Sequence, residues 1–153
     1  MFENYVPCIG ADNGPNRFWP IQEEEIDTAE SRMDVKFPSA LRNFYLNVGC
    51  GFWCKGTADA DWDRSLVNGI LSPNEIAELV CDEENIMRPQ EGFAPSTIPF
   101  FDCGENTYLC LAPEFDQSPV YWSDGKTKVC QCLVSFFHEL EVHAAFYRGL
   151  RIR

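Results

Sequence analysis

The chain has 153 residues, a hydrophobic fraction of 45% and a formal net charge of −12 at pH 7. This length suits one domain, and the apolar content is sufficient for a packed core, which excludes a wholly disordered chain. The excess of acids argues against direct binding to nucleic acid or to an anionic membrane, because proteins bind both through clustered cations.

The negative charge is concentrated in the middle of the chain. Thirteen of the 24 acidic residues, but only two of the 12 basic residues, lie between Asp59 and Asp116. Two interpretations remain open at this point. The acids can form a solvated surface that aids solubility, or a face that attracts a basic partner.

The N-terminal residues lack the basic and apolar regions of a signal peptide, and no apolar run is long enough to span a membrane. We therefore expect a cytoplasmic protein whose eight cysteines stay reduced. A zinc site is the competing interpretation, since Cys50 and Cys54, and Cys130 and Cys132, are closely spaced. Neither pair is a CxxC followed by a second such pair, so we expect no metal and no cofactor.

The first part of the chain is expected to be an irregular extension over residues 1–19, because prolines, glycines and asparagines interrupt it. Residues 20–150 are expected to form the domain. Its first helix is predicted over Pro20–Met33, where acids in the first turn complement the helix dipole.

A second helix is predicted with Ser39 as its N-cap and Gly49 as the residue that closes it. Apolar residues recur on one face of this segment at helical spacing, which predicts burial of Leu41, Phe44, Tyr45 and Val48. A short extended piece at residues 69–71 then precedes a third helix. Ser72 and Glu75 have the spacing of a capping box, with Pro73 in the first turn, and the helix should end within Cys81 to Glu84.

From about Thr97 the pattern becomes that of strands, over residues 98–101, 107–111, 120–122 and 128–133. Turns at Gly104–Asn106 and at Asp124-Gly125 join neighbouring strands, which predicts antiparallel pairing. A last helix is expected from Ser135 to Gly149. The predicted fold is α+β, a single domain with an antiparallel-rich sheet packed against about four helices.

Residue patterns give little support for catalysis. His138 and His143 are five residues apart, whereas the HExxH zinc motif needs a spacing of four to place both rings on one helix face. Cys130 with His138 remains open as a nucleophile and base, although nothing in the sequence brings them together. The acids Asp59, Asp61 and Asp63 begin like a calcium loop, but the glycine and glutamate that such a loop requires are missing.

Five segments in order resemble the SUKH superfamily, also called the Smi/Knr family. They are Phe37-Pro38-Ser39 leading to Val48-Gly49-Cys50-Gly51, the Gly69 to Ile76 strand–helix step, the Ile98 to Leu111 hairpin, the strand Val120-Tyr121-Trp122, and the segment Val134-Ser135-Phe136-Phe137. The match covers roughly Ile21 to Tyr147.

The resemblance implies an α+β fold without catalytic activity, and for bacterial members an immunity protein that neutralises a toxin. Toxins of this kind are often nucleases, which bind phosphates through cations, so an acidic inhibitor could occlude the same surface. We therefore expect a basic protein toxin as the partner of a monomeric protein. The alternative implied by the eukaryotic relatives is a regulatory or scaffold protein that binds a protein or peptide.

The residues that we expect to bind the toxin are acids of the central segment and one aromatic anchor. Aromatic residues dominate the binding energy of many interfaces, which favours Trp62 as the anchor, although ordinary packing of that ring is an open alternative. The full set is Asp59, Asp61, Trp62, Asp63, Asp82, Glu83, Glu84, Asp102 and Glu105.

Overall fold

A computed structural model describes residue 2 and residues 16–53, 67–113 and 117–150. These residues form four α-helices, a short 3₁₀ helix and seven strands. The helices are α1 (Glu23–Met33), α2 (Ser39–Asn47), α3 (Pro73–Cys81) and α4 (Leu133–Val142), and the 3₁₀ helix is Phe146–Leu150. The strands are β1 (Arg17–Trp19), β2 (Cys50–Phe52), β3 (Gly69–Ile70), β4 (Ile98–Gly104), β5 (Thr107–Leu111), β6 (Val120–Trp122) and β7 (Lys128–Cys130).

The strands lie in one sheet in chain order, and every neighbouring pair within the described ranges is antiparallel. Short connections allow this arrangement, because an antiparallel pair needs only a turn. The predicted α+β class with an antiparallel sheet is confirmed.

One face of the sheet supports an aromatic core. Phe18 of β1 contacts Phe44 of α2 edge to face at a centroid distance of 5.8 Å. Phe101 of β4 contacts Phe136 of α4 at 5.0 Å. Large side chains therefore bury much apolar area between the sheet and the helices, which is the main favourable term in folding.

The predicted buried face of α2 is confirmed. Leu41 and Phe44 are fully buried, and Tyr45 and Val48 are each 1% exposed. The Tyr45 hydroxyl donates a hydrogen bond of 2.6 Å to the carbonyl of Leu71, which fixes this helix to the end of β3. The helix begins at Ser39, one residue earlier than an N-cap at Ser39 would place it, because Pro38 is the N-cap and its carbonyl accepts from the Arg42 N–H.

A buried carboxylate joins α1 to the start of α2. Glu30 is 3% exposed and accepts a hydrogen bond of 2.6 Å from the Arg42 guanidinium and one of 2.9 Å from the Phe37 N–H. Arg42 also contacts Glu23 and Asp27 of α1. The buried charge is thus paired and hydrogen-bonded, as a low-dielectric site requires.

The capping box of α3 is confirmed. The Ser72 hydroxyl accepts from the Glu75 N–H, and the Glu75 carboxylate accepts from the Ser72 N–H at 2.7 Å. Pro73 occupies the first turn and the helix ends at Cys81. The sequence predicts this capping box because all of its residues lie within four consecutive positions.

The N-terminal part differs from the expectation of an irregular segment up to residue 19. Arg17–Trp19 form a strand that pairs with Cys50–Phe52. Close approach makes this pairing possible: Gly51 has a φ of +145°, and a Cβ there would lie 2.0 Å from the Arg17 carbonyl oxygen. Helix α1 begins at Glu23 rather than Pro20, behind a capping box formed by Gln22 and Glu25.

The last helix also differs from its prediction. It begins at Leu133, because the Cys132 sulfur serves as the N-cap and accepts from the Ser135 N–H. It ends at Val142, where His143 becomes extended, and the predicted continuation to Gly149 is instead a turn followed by the 3₁₀ helix. Ala144 and Tyr147 are nevertheless buried, although they lie beyond the end of the helix.

Asn68 ties the start of β3 to the C-terminal part of the chain. Its side chain is 1% exposed, donates to the Ala144 carbonyl at 2.9 Å and accepts from the Tyr147 hydroxyl. Both partners lie more than 70 residues away in sequence.

Candidate functional site

Five of the nine residues expected to bind a partner lie in the described ranges. Asp82, Glu83, Glu84 and Glu105 are exposed, and Asp102 is half-buried. The other four, Asp59, Asp61, Trp62 and Asp63, lie outside the described residues.

Four of these acids fall on one surface, which we call the acidic loop: residues 82–87 together with the β4–β5 turn at Glu105 and Asn106. The Asn106 side chain donates to the Ile86 carbonyl at 3.1 Å, and the Tyr108 hydroxyl donates to the Met87 carbonyl at 2.7 Å. These bonds hold the loop after α3 against the hairpin. Residues about 20 positions apart in sequence thus share one negatively charged surface.

The acidic loop also carries exposed apolar side chains. Ile86 is 86% exposed and Met87 is 47% exposed. The nearby Arg88 is turned inwards, because its guanidinium donates to the Leu79 and Val80 carbonyls at the end of α3 and lies 5.7 Å from the Phe93 ring centroid. A partner would therefore meet carboxylates and aliphatic groups here.

Asp102 belongs to a different surface, the sheet face opposite the aromatic core. Burial raises the pKa of its carboxyl group, the Gly104 N–H lowers it through a 2.8 Å hydrogen bond, and the charge of Glu75 raises it further. Glu105, which is predicted to bind the same partner, lies in the β4–β5 turn, beyond a register shift between Asp102 and Gly104.

Three exposed apolar residues mark this second surface, which we call the aromatic face: Trp19, Phe52 and Val67. They are 49%, 41% and 39% exposed. The Trp19 and Phe52 rings meet edge to face at 6.1 Å. A Cβ built on Gly69 would lie within 3.6 Å of Val67, Asp102 and Phe52, so these side chains converge over that glycine.

Two further carboxylates act electrostatically on the strand pair that carries the aromatic face, and the sequence indicated them only as helix signals. Burial, with the charges of Glu75 and Glu25, raises the pKa of the Cys50 thiol to about 11. Cys50 pairs with Trp19 in the ladder, so both charges reach the edge of the aromatic face. The sequence did not predict the β1–β2 pairing, which brings together residues more than 30 positions apart, so it did not indicate this group of residues.

A groove with a volume of about 970 Å³ adjoins the acidic loop, because Ile86, Glu105 and Asn106 line it. Its walls are residues 86–95, the β4–β5 turn and the β6–β7 hairpin. Charges of both signs line it, including Arg88, Glu91, Glu105 and Lys126. It is a polar, open feature rather than the apolar pocket typical of small-molecule sites.

No hydrogen bond joins a cysteine to a histidine within the described ranges. His138 and His143 are both exposed, and burial raises the pKa of the Cys130 thiol to about 11, with Glu139 adding to the effect. Burial raises the pKa of Cys132, but hydrogen bonds from Ser135 and from the Val134 N–H outweigh it and lower the pKa. No group of three or more potential metal ligands occurs among these residues.

None of the helices in the described ranges is both long and apolar enough to cross a membrane.

The family model that matches this chain is described as the SMI1 / KNR4 family (SUKH-1), and it covers residues 20–139. The chain belongs to the SUKH-1 family. The resemblance inferred from the ordered segments is thereby confirmed. The fold continues beyond the matched range at both ends, since β1 precedes it and the buried Tyr147 follows it.

One protein similar to this chain has a name that describes a role. It is called immunity protein YxxD and comes from Bacillus subtilis (strain 168). The two chains are 27% identical over 144 residues, which is 90% of this chain and 92% of the relative. The similarity therefore extends over nearly the whole of both proteins.

Proposed function

We propose that this protein is an immunity protein that binds a cognate bacterial toxin and neutralises it without catalysing a reaction. The observation that carries the proposal is the nearly full-length similarity to a relative named as an immunity protein. Membership of the SUKH-1 family supports it. The protein would act in the cytoplasm as a monomer, and residues 20–150 would form its binding domain.

The proposed mechanism is occlusion of a cationic toxin surface. The acidic loop supplies Asp82, Glu83, Glu84 and Glu105 as exposed charges, and the net charge of −12 extends the attraction over the whole molecule. Opposite charges accelerate encounter and make it sensitive to salt. A nuclease is the favoured toxin class, because its substrate site presents cations to phosphates. Asp59, Asp61, Trp62 and Asp63 remain proposed contacts from the sequence.

The test is co-expression of this chain with the product of the gene next to its own in the source bacterium. We expect the chain to restore growth when that product is toxic, and to form a complex with it that survives purification. Lack of growth rescue together with lack of a complex would contradict the proposal.

A variant with Asp82→Lys, Glu83→Lys and Glu84→Lys tests the electrostatic part. We expect a slower association rate and a weaker dependence of that rate on salt, because exposed interface charges act mainly on encounter. A control for the position of the charge reverses Glu139 on α4, which is exposed and lies outside the acidic loop; its effect is compared with that of Glu83→Lys alone. Equal association rates for the triple variant and the wild type would exclude steering by the acidic loop.

A regulatory protein that binds a peptide is the second candidate, and the 970 Å³ groove is the observation that favours it. The two candidates differ in the growth experiment. An immunity protein rescues cells from the neighbouring gene product, whereas a regulator leaves that toxicity unchanged.

A further inference from the structure

We propose that the aromatic face, Trp19, Phe52 and Val67, is a docking site for an extended cationic segment of a partner protein. Arginine or lysine side chains of that segment would lie over the two rings, with their charges against Glu25, Glu75 and Asp102. This deepens the proposed function, since it names the surface and the chemistry through which a toxin would be held.

The first step is the exposure of the rings. Most aromatic residues of the described ranges are buried in the core, whereas Trp19 and Phe52 remain 49% and 41% exposed. Their edge-to-face contact holds them together, so they form one platform rather than two separate side chains. Exposed aromatic rings are typical of interface anchors, and a tryptophan face binds cations well.

The second step is the unbalanced charge around the platform. In the described part of the chain, Glu25, Glu75 and Asp102 form no ion pair, whereas three other acids of α1, Glu23, Asp27 and Glu30, contact Arg42. Each of these carboxylates accepts a hydrogen bond from a backbone N–H group: Glu25 from Gln22, Glu75 from Ser72 and Asp102 from Gly104. Backbone donors hold the carboxylates in place and leave their charge uncompensated.

The third step is the effect of these charges on the face itself. Glu75 and Glu25 both act on Cys50, and Glu75 also acts on Asp102 and on Tyr108. Three carboxylates therefore act on one region of the sheet. Arg17 is the cation of the same cross-strand row, opposite Phe52. Arg17 lies on the edge strand β1, so the side of the aromatic face towards Asp102 keeps its negative charge.

The exposed rings and the unpaired carboxylates indicate which class of partner would bind the aromatic face. A second copy of this chain would bring a like-charged face, and an anionic lipid or a nucleic acid would be repelled. A protein segment that alternates cationic and aliphatic residues fits both the rings and the carboxylates, because long cationic side chains have apolar stems and charged ends. Electrostatic complementarity then selects basic segments over neutral ones.

The experiment is a nuclear magnetic resonance titration of the full ¹⁵N-labelled chain with a synthetic decapeptide of alternating arginine and valine. We expect saturable shifts centred on the Trp19 indole and on the amides of Phe52, Gly69 and Asp102. A peptide with glutamate in place of arginine should cause none. Shifts centred on the acidic loop, or no saturable shifts, would overturn the proposal.

Two sets of substitutions localise the effect. The variant Glu25→Gln, Glu75→Gln and Asp102→Asn removes three charges but keeps hydrogen-bond acceptors, since glutamine also serves in a capping box. We expect it to weaken peptide binding about tenfold. The matched control Asp82→Asn, Glu83→Gln and Glu84→Gln removes the same charge from the acidic loop and should change affinity less than about threefold. Equal losses in the two variants would contradict docking at the aromatic face.

The variant Trp19→Ala tests the platform separately, and we expect it to weaken binding about tenfold at unchanged charge. Affinity equal to wild type would show that the ring is not a contact. Because the peptide titration needs no toxin, its failure is distinct from failure of the growth rescue, which tests the immunity role alone.

Discussion

Asp102 illustrates at the scale of one residue how a binding surface can oppose stability. Its carboxyl group is half-buried on the sheet face, and burial with the charge of Glu75 raises its pKa against the effect of the Gly104 N–H. The folded chain thus holds a proton on this group more tightly than the unfolded chain does. Ionisation of Asp102 therefore favours unfolding, and its cost grows as the pH rises through the unfolded and then the folded pKa.

We predict that Asp102→Asn is more stable than the wild type at pH 7, by less than about 1 kcal/mol because the site is partly solvated. The difference should shrink as the pH falls below the carboxyl range, where wild-type Asp102 is also neutral. Denaturant melts between pH 3 and pH 8 measure it. The control Glu105→Gln alters an exposed carboxylate and should give no such trend; an advantage of Asp102→Asn that grows at low pH would contradict the assignment.

Elements built from local signals were predictable from the sequence. The α3 capping box, the buried face of α2 and the Asp124-Gly125 hairpin each depend on residues that are close in the chain. Elements that depend on distant partners were not. The β1 strand exists because β2 pairs with it, and α4 ends at Val142 although the apolar pattern continues.

The same distinction explains the candidate site. Composition directed attention to the acids, and four of the expected contact residues lie in the acidic loop, where their binding role stays a prediction. Trp19 and Phe52 were not recognised, because their proximity results from a strand pairing across 33 positions. Glu25 and Glu75 were noticed as first-turn and capping acids, but their position beside the aromatic face depends on tertiary structure.

At the scale of elements, Phe44 tests whether α2 is held by its aromatic contacts. Its ring stacks on Phe137 of α4 at 4.7 Å and meets Phe2 and Phe18 edge to face. We predict that Phe44→Ala lowers the free energy of unfolding by about 3–5 kcal/mol, since it leaves a cavity between the two helices.

Leu46 provides the control on the same helix, because it is 44% exposed. Leu46→Ala should change the free energy of unfolding by about 0.5 kcal/mol or less in denaturant melts. Similar losses for the two variants would contradict the assigned orientation of α2.

The whole molecule carries far more negative than positive charge, and its compact state brings these charges together. Some acids are neutralised locally, as Glu30 is by Arg42. Others, in the acidic loop and around the aromatic face, contribute repulsion that salt can screen. This negatively charged surface is consistent with the proposed binding of a basic partner.

We predict that raising NaCl from about 10 mM to about 200 mM increases the melting temperature by about 2–4 °C, the shift that roughly 1 kcal/mol produces at this chain length. The variant Asp82→Asn, Glu83→Gln and Glu84→Gln has less repulsion and should respond less. Differential scanning calorimetry measures both. A melting temperature that falls with salt would show that ion pairs outweigh repulsion.

Asn68 links the start of β3 to residues far along the chain, and this has a consequence for the order of folding. Its amide group is buried and is satisfied by Ala144 and Tyr147, which lie 76 and 79 residues away. A buried amide without hydrogen-bond partners costs free energy, so the start of β3 is not stably buried before the segment around Tyr147 docks. Because closing so long a loop costs entropy before its contacts form, we expect β3 to gain its full protection late in folding.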